Sequence, residues 1–315
     1  MISFLEECKN AKSIAISGHV RPDGDCIGSC LALAMYLRQK MSDCAVDVLL
    51  EEPSDIFDVI AQVDSVISVD LDKTYDVFIA LDCDYTRLGF SQNAYLTAGK
   101  TINIDHHVTN KALANVNHIR PEVGSTAELI FELLGEDAID DEIAKALYIG
   151  IIHDTGVMQY SNTRPRTLEI AAKLITYNFD FSKIIEETFY QKNFKQTQVL
   201  GRVLLDSKRY LDDKCIIGCV SIETMNEYKA RPQTLDGAVN KLKQVRGVEC
   251  AALIYELEKG VSKVSLRSDN IDVSQICAFF GGGGHKQAAG FTWEGTQDDI
   301  VAKLLVKVDE YITCL

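Results

Sequence analysis

The chain contains six histidines, and five stand beside aspartates or glycines in short segments: His19 in GHVRPDGD, His106 and His107 in DHH, His153 in HDTG and His285 in GGGGH. The same segments hold Asp23, Asp25, Asp105 and Asp154, while Asp82 and Asp84 follow another apolar run. Imidazole mixed with carboxylate suits a first-row divalent cation, and carboxylates beyond one ion's needs point to two ions sharing a bridging ligand. Such a pair activates water near neutral pH, so a two-cation hydrolase is the leading expectation.

In HVRPDGDC the ligand types fall at i, i+4 and i+6, and Pro22 and Gly24 argue against a helix there. The expected structure is a loop in which Gly24 lets the chain turn Asp23 and Asp25 toward one site. A helix N-cap is the plain alternative for an aspartate in this position. Asp82 and Asp84, in D-x-D after VFIAL, would share one side of an extended chain. DHH after TINI is the stronger signal, because adjacent histidines are unusual in a chain this poor in them. Asp154 precedes Thr155 and Gly156 at the end of an apolar helix, where a ligand or a turn cap would fit equally well. His153 reads more simply as a half-buried helix residue, and His118 in VNHIRP has no partner in sequence. Cys26 and Cys83 adjoin the aspartates and are expected to pack as small apolar side chains rather than to ligate. The glycine run before His285 and Lys286 is expected to be a flexible loop whose backbone N–H groups, including those of Gly283 and Gly284, cradle a phosphate to which His285 also donates. Arg267, at the end of KVSLR, offers a planar fork for phosphate oxygens.

These segments need a frame. Strands are expected in SIAIS, VDVLL, SVISVD, DVFIALD and TINID, and helices in CIGSCLALAMYLRQ, STAELIFELL and DDEIAKALYIGIIHD. Apolar strands separated by helices indicate α/β architecture with a parallel sheet covered by helices on both faces. The candidate ligands follow the strands, where open α/β sheets form their crevices. After residue 180 a helical stretch leads to a smaller α+β unit, with strands in KRYL, KCIIGCVSI, VECAALIYEL and VSKVSLRS and a closing helix in DDIVAKLLVKVDEYI. The expected division is a domain over 1–185, a helical linker over 186–200 and a second domain over 201–315.

At 315 residues, two cores are the prior. Glu6, Glu7 and Lys9 stand where a signal peptide needs an apolar run, and no stretch approaches the ~18 apolar residues of a membrane span, so a cytoplasmic protein without membrane partners is expected. Ten cysteines without a C-x-x-C pair, in a chain long enough to need no staples, suggest buried thiols rather than disulfides. A net charge of −14 argues against wrapping long nucleic acid, while a cation pair could still draw a small phosphate.

HVRPDGD, LDCD, DHH and HDTG, in that order, resemble the four motifs of the DHH phosphoesterases, and SLRS followed by GGGGHKQAAGF resembles the associated DHHA1 domain. The likeness spans nearly the whole chain, and its two-domain layout is most similar to the nanoRNase group. It implies that the first domain is a DHH domain and the second a DHHA1 substrate-binding domain. It further implies His19, Asp23 and Asp82 on one cation and Asp25, Asp82, His106 and Asp154 on the other, with Asp82 as bridge. Asp105 would orient a histidine, and His107, Arg267 and His285 would meet substrate phosphate; no ligand role carries over to Asp84. The implied cofactors are two divalent cations about 4 Å apart, manganese first, with magnesium or cobalt as alternatives. The implied substrates are short RNA oligonucleotides of about two to five nucleotides and 3′-phosphoadenosine 5′-phosphate (pAp). Cleavage of pApA or cyclic dinucleotides is the alternative, and a non-catalytic nucleotide-binding module is the reading from another class. A homodimer is compatible with all of these.

Overall fold

A computed structural model describes residues 4–313, and the chain divides into two compact units between Gln191 and Lys192. The first unit runs through α1 (Phe4–Glu7), β1 (Ser13–Ser17), α2 (Gly24–Lys40), β2 (Ala45–Leu49), β3 (Val66–Ile67), β4 (Val77–Leu81), α3 (Gln92–Thr97), β5 (Lys100–Asp105), β6 (Val116–Ile119), α4 (Thr126–Leu134), α5 (Asp141–Asp154), α6 (Pro165–Leu174) and α7 (Phe181–Ile185). Its six strands lie in the order β3-β2-β1-β4-β5-β6, every pair parallel. Chain direction across the sheet reverses beside β1, so the C-terminal ends of β1 and β4 flank the crevice of a doubly wound sheet.

All five residues of β4 are buried, because both faces of the sheet are covered. Ile14, Ile16, Ile79, Ile102 and Ile104 pack under α2 and α4, while Ala15, Leu49, Phe78 and Ala80 pack against Ala94 and Tyr95 of α3. Helix α2 is buried from Gly24 to Leu37, since it lies between the sheet and α5. Gly28 permits that second contact: a Cβ there would come 2.5 Å from the Ala146 carbonyl oxygen of α5. Strand β6 was not foreseen, since Val116–Ile119 is a half-exposed edge without clean alternation. SVISVD was expected as a full strand but contributes only Val66–Ile67.

The second unit comprises α8 (Phe194–Asp206), β7 (Lys208–Tyr210), β8 (Cys215–Val220), α9 (Ile222–Glu227), α10 (Ala238–Lys243), β9 (Cys250–Glu258), β10 (Val261–Ser268), α11 (Val273–Phe279), β11 (Gly283–His285), β12 (Ala288–Glu294) and α12 (Gln297–Ile312). The sheet order is β11-β12-β10-β9-β8-β7, with β8 and β9 parallel and the other pairs antiparallel. Val199 and Val203 of α8 and Val239 and Leu242 of α10 pack on Ile216, Ala251 and Leu253. On the other face α11 and α12 cover Cys250, Val264, Leu266 and Phe291. The helical stretch between the units is divided: Glu186–Tyr190 form a π-turn in the first unit, and α8 belongs to the core of the second.

Among the described residues no helix is long and apolar enough to cross a membrane. The nine described cysteines are all free thiols.

Candidate active site

The crevice is built from chain ends that the parallel sheet brings side by side. β1 delivers His19, β4 delivers Asp82, and β5 ends in Asp105 and delivers His106 and His107. Between His19 and α2 the backbone turns through Arg21, at φ +54°, and Asp23 then caps α2, accepting hydrogen bonds from the N–H groups of Asp25 and Cys26. The expected turn at Gly24 is corrected by the structure: Gly24 is the first residue of α2 and makes no turn. Its lack of a side chain serves packing, because a Cβ there would lie 2.2 Å from Cγ of His153. Nor is the D-x-D segment extended. Asp82 sits at φ +59° and turns inward, and Asp84 caps the following turn through the Thr86 N–H at 2.8 Å. A non-glycine residue in that region stores backbone strain of about 1–3 kcal/mol, which persists where the surroundings over-determine it.

Two groups of ligand-type atoms converge. His19 Nε2 lies 3.6 Å from Asp23 Oδ1 and 3.4 Å from Asp82 Oδ2. His106 Nε2 lies 3.9 Å from Asp25 Oδ2, 3.6 Å from Asp82 Oδ1 and 3.5 Å from Asp154 Oδ2. Asp82 therefore turns one oxygen to each group. His106 Nε2 is buried without a hydrogen-bond partner among its three carboxylates, an arrangement that costs free energy unless something fills the space between them. A divalent cation fits that donor set. The protonation equilibria agree. Burial, with repulsion from Asp82 and Asp154, pushes the Asp25 carboxyl well above the usual range. Burial and Asp82 likewise raise Asp154 to about 6, although His106 opposes the shift. Burial would lower His19, yet Asp23 and Asp82 raise it to about 11. Positive charge is what this cluster favours.

Around the convergent atoms lies a ring of fixed partners. Asp105 Oδ1 accepts from the N–H of His107 at 3.0 Å and from its Nδ1 at 2.7 Å, and Asp105 Oδ2 accepts from Asn110 Nδ2. Burial opposes ionisation of Asp105, but the His107 contacts still hold its carboxyl below the ordinary value. The histidine it orients is thus His107, with Nε2 left for another partner. His153 does not join the cluster; it packs between Phe57 and Phe189, with Nε2 3.2 Å from Thr188 Oγ1. Cys26 Sγ lies within 4.8 Å of the nearest His19 and Asp82 ligand atoms, but burial pushes its thiol far up, in keeping with packing.

Residues 13–151 match the DHH family, N-terminal domain, and residues 212–313 match the DHHA1 domain. The chain is a DHH-family phosphoesterase. It is 27% identical over 295 residues to the probable bifunctional oligoribonuclease and PAP phosphatase NrnA of Streptococcus mutans, covering 91% of this chain and 92% of that one. The corresponding bifunctional protein of Thermus thermophilus is also 27% identical, with 95% and 90% covered. Among solved structures, an exopolyphosphatase-related protein from Bacteroides fragilis superposes with a TM-score of 0.90 at 26% identity, covering 98% of this chain and 95% of that one. Exonuclease RecJ bound to manganese shares the fold at a TM-score of 0.53 and 14% identity, with 99% and 93% covered.

In the second unit of the phosphoesterase, GGGGH is not the loop expected. Gly283–His285 form β11, the outermost strand, paired antiparallel with β12 through Gly283–Gly290 and His285–Ala288. Glycine is needed there: Gly284 sits at φ +144°, and a Cβ on it would lie 2.6 Å from the Ala288 carbonyl oxygen. The cradle of loop amides is thereby replaced by a sheet face. Ala288 pairs with both His285 and Arg267, so the three stand in one row across the sheet and the two cationic-type residues point to the same side, their backbones about 10 Å apart. Arg267 is half-buried, its Nε donating to Asn240 Oδ1 at 3.1 Å, while His285 is exposed. Around them the same face carries the small residues Ala288, Gly290 and Gly283, with Ser265 and Lys263 of β10 beside them and the Lys263 side chain reaching toward Gly290.

Asn110, Asn162 and the Gly124–Ala127 segment had not been singled out from sequence. Asn162 Nδ2 donates to Asp154 Oδ2 at 3.1 Å, and the N–H groups of Thr126 and Ala127 donate to the two oxygens of Asp25 at 2.7 and 2.8 Å. The S-T-x-E run at 125–128, a capping signature, is the one local sign that α4 begins there.

Proposed function

We propose that this phosphoesterase uses two divalent cations to hydrolyse short oligoribonucleotides, about two to five nucleotides long, to mononucleotides, and pAp to AMP and phosphate. The observation that carries the two-cation reading is the buried, unpartnered His106 Nε2 amid Asp25, Asp82 and Asp154, beside a second group of His19, Asp23 and Asp82. His19, Asp23 and Asp82 would hold one cation and Asp25, Asp82, His106 and Asp154 the other. Manganese is favoured over magnesium because imidazole enters both sets, with cobalt a workable substitute. Bound there, the cations would supply activated water near neutral pH and offset charge on the phosphoryl oxygens.

The chain's own residues divide the remaining work. Asp105 fixes the His107 ring through Nδ1, so that Nε2 can hydrogen-bond a phosphoryl oxygen of the substrate. Arg267 and His285 share one open sheet face, where a further phosphate can be held by charge-assisted hydrogen bonds and a base can lie against Ala288 and Gly290. In hydrolysis the oxygen of water bonds to phosphorus as the phosphorus–oxygen bond to the leaving nucleotide breaks, and the departing oxygen takes up a proton from solvent or the one that water gives up. The names of the relatives from Streptococcus mutans and Thermus thermophilus support this substrate class. So does the charge of −14, which offers no general attraction to a long polyanion.

The deciding experiment compares kcat/KM for pAp, pApA, RNA of two to about twenty nucleotides, pyrophosphate and cyclic dinucleotides with manganese at matched low salt. The expected result is highest efficiency on two to five nucleotides, release of AMP from pAp, and a fall toward about twenty. Equal or better efficiency on long RNA would overturn the short-substrate reading, and a clear preference for cyclic dinucleotides would replace it.

A further inference from the structure

The two central carboxylates of the crevice are tied to a single residue of α4. Thr126 is fully buried; its N–H donates to Asp25 Oδ2 at 2.7 Å and its hydroxyl donates to Asp82 Oδ1 at 2.9 Å. The end of α4 that carries it is itself held: Ser125 Oγ accepts from the Glu128 N–H at 3.2 Å, and Glu128 Oε2 accepts from the Gly124 N–H at 3.1 Å and from Thr167 Oγ1 at 2.8 Å. Asp82 needs such a tether. Its Oδ1 faces His106 and His107, each at 3.6 Å, and its Oδ2 faces His19 at 3.4 Å, so its service to both sides depends on rotation about the final torsion. That torsion is broad and soft in aspartate, and its strained backbone does not fix it. A hydroxyl donating to Oδ1 selects one rotation, and complete burial of the branched Thr126 side chain leaves that hydroxyl little room to turn elsewhere.

We propose that Thr126 is the positioning residue that orients Asp82 between the two cation positions and so couples them, an inference that rests on the two-cation reading above. Thr126→Val keeps the shape and removes the hydroxyl. Outer partners of metal ligands contribute about 10- to 100-fold in affinity or rate, so the loss should fall on retention of the ion pair more than on the first ion.

The test titrates Mn(II) calorimetrically into the chelator-stripped full chain and records electron paramagnetic resonance at two equivalents, for wild type, Thr126→Val and Thr126→Ser. Wild type should bind two ions with an exchange-coupled spectrum. The valine variant should bind the second about 10- to 100-fold more weakly, lose the coupled signal and lower kcat on pAp with KM little changed, and the serine variant should restore all three. Thr126→Ala carries the same expectation should the valine variant not fold. Wild-type affinities and an unchanged coupled spectrum in the valine or alanine variant, whatever its melting temperature, would overturn the proposal. A wild-type protein that binds no second ion would instead overturn the two-cation reading itself.

Discussion

In the first unit the central candidate residues are buried and held by neighbours, with Asp23 exposed at the rim: Asp25 and Asp82 expose 1% and 2% of their surface, Asp25 is held by two amides of α4 and Asp82 by the Thr126 hydroxyl. In the second, Arg267 is half-buried and His285 lies exposed on the outermost strand, beside the small residues Gly283 and Ala288. The contrast follows from what each region would handle. Cation ligands must sit within a few tenths of an ångström of their required positions, which only packed neighbours enforce, whereas a face that receives the variable end of a nucleotide gains from space.

The strongest way to break this comparison is at its buried extreme. Asp82→Ala should lower hydrolysis of pAp about a thousandfold or more and remove manganese from the protein, with the circular dichroism spectrum largely kept. A variant that retained manganese and most activity would end the bridging assignment. On the open face, Arg267→Ala and His285→Ala should each reduce kcat/KM by roughly 10- to 100-fold while manganese content stays at the wild-type level. Loss of metal in both would show that the two regions are not separate in role. Gly24→Ala probes packing alone: the added methyl meets His153, and thermal unfolding should reveal a loss of about 1–3 kcal/mol. Smallest of all, His153→Ala should change kcat by less than roughly fivefold, equivalent to about 1 kcal/mol, because the ring packs against Phe57 and Phe189 with Nε2 beside Thr188.

The sequence disclosed the ligand types because histidine is scarce and clustered, and it disclosed the parallel sheet because β1, β4 and β5 are short apolar runs between helices. What it concealed depends on contacts between distant segments. Thr126 meets Asp25 only through the packing of α4 beside α2, a separation of 101 residues that no local pattern records. Gly24 looked like a turn residue because nothing near it in sequence indicates the imidazole that must fit against it. The glycines before His285 have no side chains to alternate, so β11 is specified by its partner β12 rather than by its own residues. D-x-D misled for a different reason: alternation presumes extended backbone, and Asp82 at φ +59° is not extended.

His19, Asp82, His106 and His107 follow β1, β4 and β5, which are consecutive neighbours in the six-stranded sheet, while the two-residue β3 and the half-exposed β6 form its margins. Hydrogen exchange in native proteins proceeds through partial openings that begin at such margins and reach central strands last. Amides of Ile14–Ser17, Val77–Leu81 and Ile102–Asp105 should therefore exchange only through global unfolding, and fraying of β3 or β6 leaves the spacing of His19, Asp82 and His106 untouched. The protein can thus breathe at its sheet edges without scattering His19, Asp82 and His106.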